Sequence, residues 1–415
     1  MAPRAGLCCG GGVFGAVAFV LLFGSWLGAG PLRAEVVLER VALVQRHGVR
    51  APVQSAETLA GWSRRAWPSW PVATGDLTPH GADVVALVSA AMRAAYVAKG
   101  VLPAAGCPGG DLLVWADSHV QRTRESGRMM AGQLAPGCPD VLRHRPAGAR
   151  DAVFGGAGGA CTLDPDEGRA AVTALVGGED LLLDEASDAA VRRVIALLAP
   201  PQPLAPTGFE VKPGGVSLTG ALSVATPASE IFLLEYAQGM PAGDVAWGAG
   251  GDSAALAPLL AARNRGALIA RGVPYVAARQ SGVMARVMLE MLSGEANATD
   301  PPLDAGIRML ALAGHDTNLS NLGALLGVSW SLPGQPDATA PATALALERW
   351  RDTQSGALLL GVTVWYAELE GMRALDPAKV HALAVPLPGC GPTGLCPLQA
   401  LRERILAQVP MACRG

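Results

Sequence analysis

The chain has 415 residues, half of them hydrophobic and 16% charged, with 52 glycines and 32 prolines. That length excludes a single small module, and the composition excludes wholesale disorder while favouring a loop-rich globular protein. The formal net charge is -3 and the basic side chains are almost all arginine, with lysine only at Lys99, Lys212 and Lys379; this argues against a nucleic-acid surface but allows arginines to gather in one pocket.

The first 34 residues carry only Arg4 and Arg33 as charges around an apolar run from Val13 to Ala29. This pattern predicts an export signal over residues 1–34, cleaved at Ala34, with an uncleaved anchor as the alternative. The mature chain is then periplasmic or secreted, with no stable membrane association after cleavage. Beyond the signal, Cys107, Cys138, Cys161, Cys390, Cys396 and Cys413 form an even set suited to three disulfides in an oxidising compartment, and 15 pairings are open to them.

Val36 to Gln45 is apolar and β-branched and ends at Arg46-His47-Gly48, which predicts a buried strand followed by a loop. Thr78-Pro79 opens a long periodic stretch closed by Lys99-Gly100, a helix with a cap, a first-turn proline and a terminal glycine. Leu112 to Ala116 is a second strand, followed after Asp117-Ser118 by a helix from Gln121-Arg122 to Leu134. Ile307 to Ala313 is a third, followed by Gly314-His315-Asp316 and a helix to Leu326.

Between them, residues 164–271 are rich in Gly, Ala and Pro and carry helical stretches at Ser229 to Gln238 and Ser253 to Arg263 with few strand signals. They are expected as a helical insertion domain, with residues 35–163 and 272–415 forming the α/β core. In such sheets, ligands collect where strands end and helices begin, so three polar clusters at three strand ends can converge on one anion.

Cleaving a phosphate monoester requires neutralised phosphoryl oxygens, an in-line nucleophile and a proton for the departing oxygen. Arg46 and Arg50 flank His47, with Gly48 allowing a tight turn and close backbone approach. A neutral His47 imidazole can attack phosphorus to give a phosphohistidine that water then cleaves. Asp316 suits the proton donor, and His315 would help bind the phosphoryl group. The pattern Arg46-His47-Gly48-x-Arg50-x-Pro52 arises by chance on the order of once in 10,000 chains of this length.

His80, His119, His144 and His381 are read as ordinary surface or satisfied polar residues. No carboxylates or histidines show two-metal phosphatase spacing, so neither a metal nor another cofactor is expected.

These residues resemble the histidine acid phosphatase family, in its periplasmic bacterial phytase and glucose phosphatase branch. The likeness extends to Ala66–Val72, Leu77-Thr78-Pro79, Val216–Ala221, Ile231–Leu234, Gln238–Pro241 and Leu332–Asp337. It implies a mostly parallel α/β sheet core flanked by helices, of the phosphoglycerate-mutase type, with a mainly helical insertion over the active site.

It further implies His47 as nucleophile and Asp316 as proton donor, with Arg46, Arg50, Arg122 and His315 holding the phosphate. The implied disulfides are Cys107–Cys138, Cys161–Cys413 and Cys390–Cys396. The implied activity is a phytase acting on inositol hexakisphosphate, with a sugar phosphatase, a broad acid phosphatase or a non-catalytic phosphate-ester binding protein as alternatives; a monomer is expected.

Three departures bear on substrate. Val53 and Gln54 stand where the phytase pattern has threonine and lysine, Ala242 replaces an acidic residue, and Arg279 is the candidate for holding outer phosphates.

Overall fold

The computed structural model describes residues 36–415 apart from 300 and 392. The expected export segment, residues 1–34, lies outside the described residues. Ten strands follow in chain order: β1 (Val36–Arg46), β2 (Leu112–Ala116), β3 (Leu142–Arg143), β4 (Gly208–Lys212), β5 (Gly215–Thr219), β6 (Met309–Gly314), β7 (Ala344–Asp352), β8 (Leu358–Ala367), β9 (Val380–Val385) and β10 (Cys396–Pro397). The main sheet runs β10-β8-β7-β1-β6-β2-β3, with β9 also paired to β8.

β1, β6, β2 and β3 are mutually parallel and β8 shares their direction, while β7, β9 and β10 run the other way. The central strands are buried on both faces, which explains why they read as unbroken apolar runs. Val41 and Leu43 face one apolar layer with helices Pro79–Ala98 and Gln121–Leu134, and Ala42 and Val44 face another with Gly282–Ser293 and Asp316–Leu326.

The capped helix forms as expected. Thr78 Oγ1 accepts from the Gly81 amide at 2.8 Å, and Val84, Val85, Val88, Met92 and Tyr96 bury one helical stripe. Gly48 faces its first turn so closely that a Cβ there would lie 2.0 Å from the Gly81 carbonyl oxygen, and one on Gly81 would lie 2.0 Å from that of Val49. Two facing glycines thus set how near the loop after β1 approaches this helix.

Residues 164–271 form helices Pro165–Val176, Glu185–Leu198, Gly220–Ala237 and Ala261–Arg271 around a third apolar cluster that includes Val172, Val194, Phe232 and Leu260 and also takes in Val276 and Leu369. Three details differ from expectation. The hairpin β4–β5 forms here, because Phe209/Val211 and Val216/Leu218 alternate around Pro213-Gly214.

The helix expected from Ser229 begins at Gly220 and runs through Pro227, a residue that breaks the backbone ladder but not this buried rod. The stretch expected from Ser253 is interrupted at Ala257–Leu260, where Pro258 tightens the turn, and resumes to Arg271.

The disulfides are Cys107–Cys138, Cys161–Cys413 and Cys390–Cys396, the pairs implied by the resemblance.

Candidate active site

Three strand ends lie side by side. Arg46 pairs with Gly314 across β1 and β6, and Ala116 of β2 pairs with Ala313. The chain beyond each is pinned to β6: the His47 amide donates to the Gly314 carbonyl (3.0 Å) and the Asp117 amide to that of Ala313 (3.0 Å). His47, Asp117 and His315-Asp316 therefore emerge on one level at the carboxyl edge of the parallel strands, and the helices beginning at Gln121 and Asp316 bring Arg122 and Asp316 in their first turns.

His47 is buried, and its Nδ1 lies 2.9 Å from the Gly48 carbonyl oxygen. A carbonyl only accepts, so Nδ1 carries the hydrogen and Nε2 keeps its lone pair. Burial, then the guanidiniums of Arg46, Arg122 and Arg50, hold the imidazole well below the usual histidine range. Both effects favour the neutral imidazole. The His315 ring lies 5.7 Å away, centroid to centroid, at 76°.

His315 Nε2 donates to Asp117 Oδ2 at 2.7 Å, and its amide donates to Asn318 Oδ1 at 2.9 Å, which fixes the ring and the chain. Burial would raise the Asp117 carboxyl, but the bond from His315 holds it below its ordinary value.

Arg46 and Arg50 are buried and Arg122 is half-buried. Arg46 Nη1 donates to the Thr339 carbonyl at 2.5 Å, Arg50 Nη2 to Glu230 Oε2 at 2.9 Å and Arg122 Nη1 to the Gly75 carbonyl at 3.3 Å. Burial and the neighbouring charge of Arg50 press Arg122 down to about 10. Each of the three leaves a buried Nε with no hydrogen-bond partner among the described residues. Buried donors of this kind are rare in proteins and suit an oxyanion.

Residues 164–271 supply charged groups that the motif reading did not include. Glu230, on helix Gly220–Ala237, bridges Arg46 and Arg50. Arg263, on helix Ala261–Arg271, donates through Nε to Asp337 at 2.6 Å and through Nη2 to Asp316 at 3.1 Å, and Arg271 Nη1 reaches the same Asp316 oxygen at 2.5 Å. The available signal was a charge set in an apolar helical run, as Glu230 is beside Ile231-Phe232-Leu233-Leu234. Asp117 had only its place after a strand to mark it.

The site thus holds five guanidiniums against Glu230, Asp316 and Asp337, with Asp117 engaged by His315. Five guanidiniums against these four carboxylates leave the site with an excess of positive charge, which suits the anion of a phosphate ester.

The sequence profile of the histidine phosphatase superfamily (branch 2) matches residues 37–359. The chain belongs to that family. Among histidine phosphatases it is 33% identical to phytase AppA of Escherichia coli (strain K12), over 91% of this chain and 94% of the relative. It is 25% identical to a glucose-1-phosphatase of Salmonella typhimurium, over 92% and 95%. The structure of Hafnia alvei phytase in complex with tartrate superposes with a TM-score of 0.84 at 31% identity, covering 92% of this chain and all of that one.

Two substrate-related positions of this histidine phosphatase are also located. Val53 and Arg122 both come within 4 Å of where a Cβ on Gly75 would stand, so the residue replacing the expected threonine is close to the arginine group. Arg279 donates to the Thr162 and Tyr275 carbonyls, both at 3.1 Å, and stacks on the Tyr275 ring. Arg271 and Gln280 line a cleft together with Thr317, the residue after Asp316.

Proposed function

We propose that the protein is an acid phosphomonoesterase that removes phosphate from inositol hexakisphosphate through a phosphohistidine on His47. The observation that carries this reading is a neutral histidine with a free Nε2 among three arginines whose buried Nε donors lack partners among the described residues. Arg46, Arg50, Arg122 and His315 bind the phosphoryl oxygens, and His47 Nε2 attacks phosphorus in line. Asp316 protonates the leaving oxygen and then, as a carboxylate, takes a proton from the water that cleaves the phosphorus–nitrogen bond.

The phytases among the relatives support inositol hexakisphosphate as the substrate. Val53 and Gln54 favour a second reading, a sugar or broad-specificity phosphatase, because they remove a cationic contact beside the site. The disulfides fit a periplasmic or secreted protein, and we read it as a monomer acting on small phosphate esters.

Steady-state comparison of inositol hexakisphosphate, glucose 1-phosphate and an aryl phosphate tests the substrate. The highest kcat/KM is expected for inositol hexakisphosphate, and a clear preference for glucose 1-phosphate would establish the second reading instead. Activity is expected to survive EDTA.

A further inference from the structure

Asp316 in this arrangement has no proton to give. Its Oδ2 accepts from Arg263 and Arg271, and its Oδ1 accepts from the Thr317 amide at 3.0 Å. Burial would raise its carboxyl, but Arg271, Arg46 and Arg263 outweigh that and hold it well below the usual carboxylate range. Arg122 adds positive charge from a further helix, and the opposing acids are Glu230 and Asp337; His315 precedes it and His47 faces His315. An acid step from Asp316 requires this clamp to open.

Its two arginines are not equivalent. Arg263 is 2% exposed and held by Asp337 and Glu230 as well as Asp316, so it stays in place whatever Asp316 does. Arg271 ends its helix, its side chain is 31% exposed, and among the described residues Asp316 is its ion-pair partner. It lines a cleft of about 550 Å³ with Lys212, Ser217, Gln280 and Thr317. Lys212 is one of only three lysines in the chain, and its ion pair with Glu210 (3.2 Å) is largely exposed and therefore weak. A cleft with one weakly paired cation and a partly exposed guanidinium that has a single ion-pair partner among the described residues, opening beside the candidate proton donor, suits a second phosphate, which a guanidinium can grip with two parallel bonds.

We propose that Arg271 is a substrate-operated positioning residue: a second phosphate of a poly-phosphorylated ester draws its guanidinium off Asp316, and Asp316 then takes up the proton it delivers to the leaving oxygen. The inference rests on the phosphomonoesterase reading above, with Asp316 as the acid. The proton comes from solvent. As the ester P–O bond breaks and the His47 Nε2–P bond forms, that proton passes to the leaving oxygen; Asp316 recovers one from the water that releases phosphate. Monophosphates leave Arg271 on Asp316, so poly-phosphorylated esters gain in kcat and not in binding alone.

The test is kcat and KM against pH, from about pH 3 to 7, for inositol hexakisphosphate and glucose 1-phosphate with wild type, Arg271→Gln and Arg271→Lys. In Arg271→Gln, the limb on which kcat for glucose 1-phosphate falls with rising pH should move up by about one unit. The limb for inositol hexakisphosphate should stay in place while its KM rises, and its kcat advantage should shrink about tenfold. Arg271→Lys, which keeps the charge, should fall between.

Equal losses on both substrates with neither limb moved, or both limbs moved alike, would overturn the proposal and leave Arg271 a structural role. A wild type inactive on inositol hexakisphosphate would remove the substrate reading, while the glucose 1-phosphate limb would still decide whether Arg271 controls Asp316.

Discussion

Among single residues, His47 combines two properties that seldom meet: a fixed tautomer and a charge environment that favours its unprotonated form. The acid limb of kcat/KM is therefore expected well below the ordinary histidine value of about 6.5. A pH–rate profile checks this, and a limb near 6.5 would mean that the arginines do not act on His47 as described. Asp316→Asn should cost inositol hexakisphosphate about 10²- to 10⁴-fold in kcat and an aryl phosphate far less, because only the poorer leaving group needs the proton. Equal losses would remove Asp316 as the acid. The motif residues were legible because each lies next to a strand end in sequence. Glu230, Arg263 and Arg271 were not, because their proximity to the site is created by tertiary packing over long separations, as with Arg46 and Glu230.

At the scale of elements, the site depends on how closely the loop after β1 approaches helix Pro79–Ala98. Gly48→Ala would place a methyl group 2.0 Å from the Gly81 carbonyl oxygen. Backbone has to shift to admit it, and a loss of about 1–3 kcal/mol is expected in urea unfolding, together with a raised KM because Arg50 moves with the loop. Unchanged stability would show that the two glycines are not a contact point.

The strands beneath this loop were readable to within two residues because they are buried on both faces and bounded by polar turns. The helices of 164–271 were harder. Pro227 and Pro258 mark apparent boundaries that packing overrides or relocates, and the hairpin β4–β5 is short enough for its alternation to be lost among glycines.

Across the whole molecule, a buried carboxyl suits it to acid. Burial raises Glu235 to about 8, with its Oε2 accepting from the Ala246 amide at 2.9 Å. A carboxyl raised in the folded state stabilises fully below its unfolded value of about 4.5, and that contribution is lost as pH rises toward 8. Stability should thus fall over this window, and Glu235→Gln should flatten the fall; a melting-temperature profile with pH reads both, and an unchanged slope would contradict the assignment.

Cys161–Cys413 ties the segment just before helix Pro165–Val176 to the C-terminal end across 252 residues, and replacing both cysteines with serine should cost roughly 2–5 kcal/mol in denaturant unfolding. These pairings came from family likeness, since spacing alone left every pairing open.

The central claim is covalent catalysis at His47, and the most direct measurement is rapid acid-free quenching during turnover of labelled substrate, followed by peptide mapping. Label on the peptide containing His47, absent from a folded His47→Ala protein whose turnover has fallen by about four orders of magnitude or more, is the expected result. Turnover that persists in His47→Ala, or a wild-type burst with no label on that peptide, would contradict it.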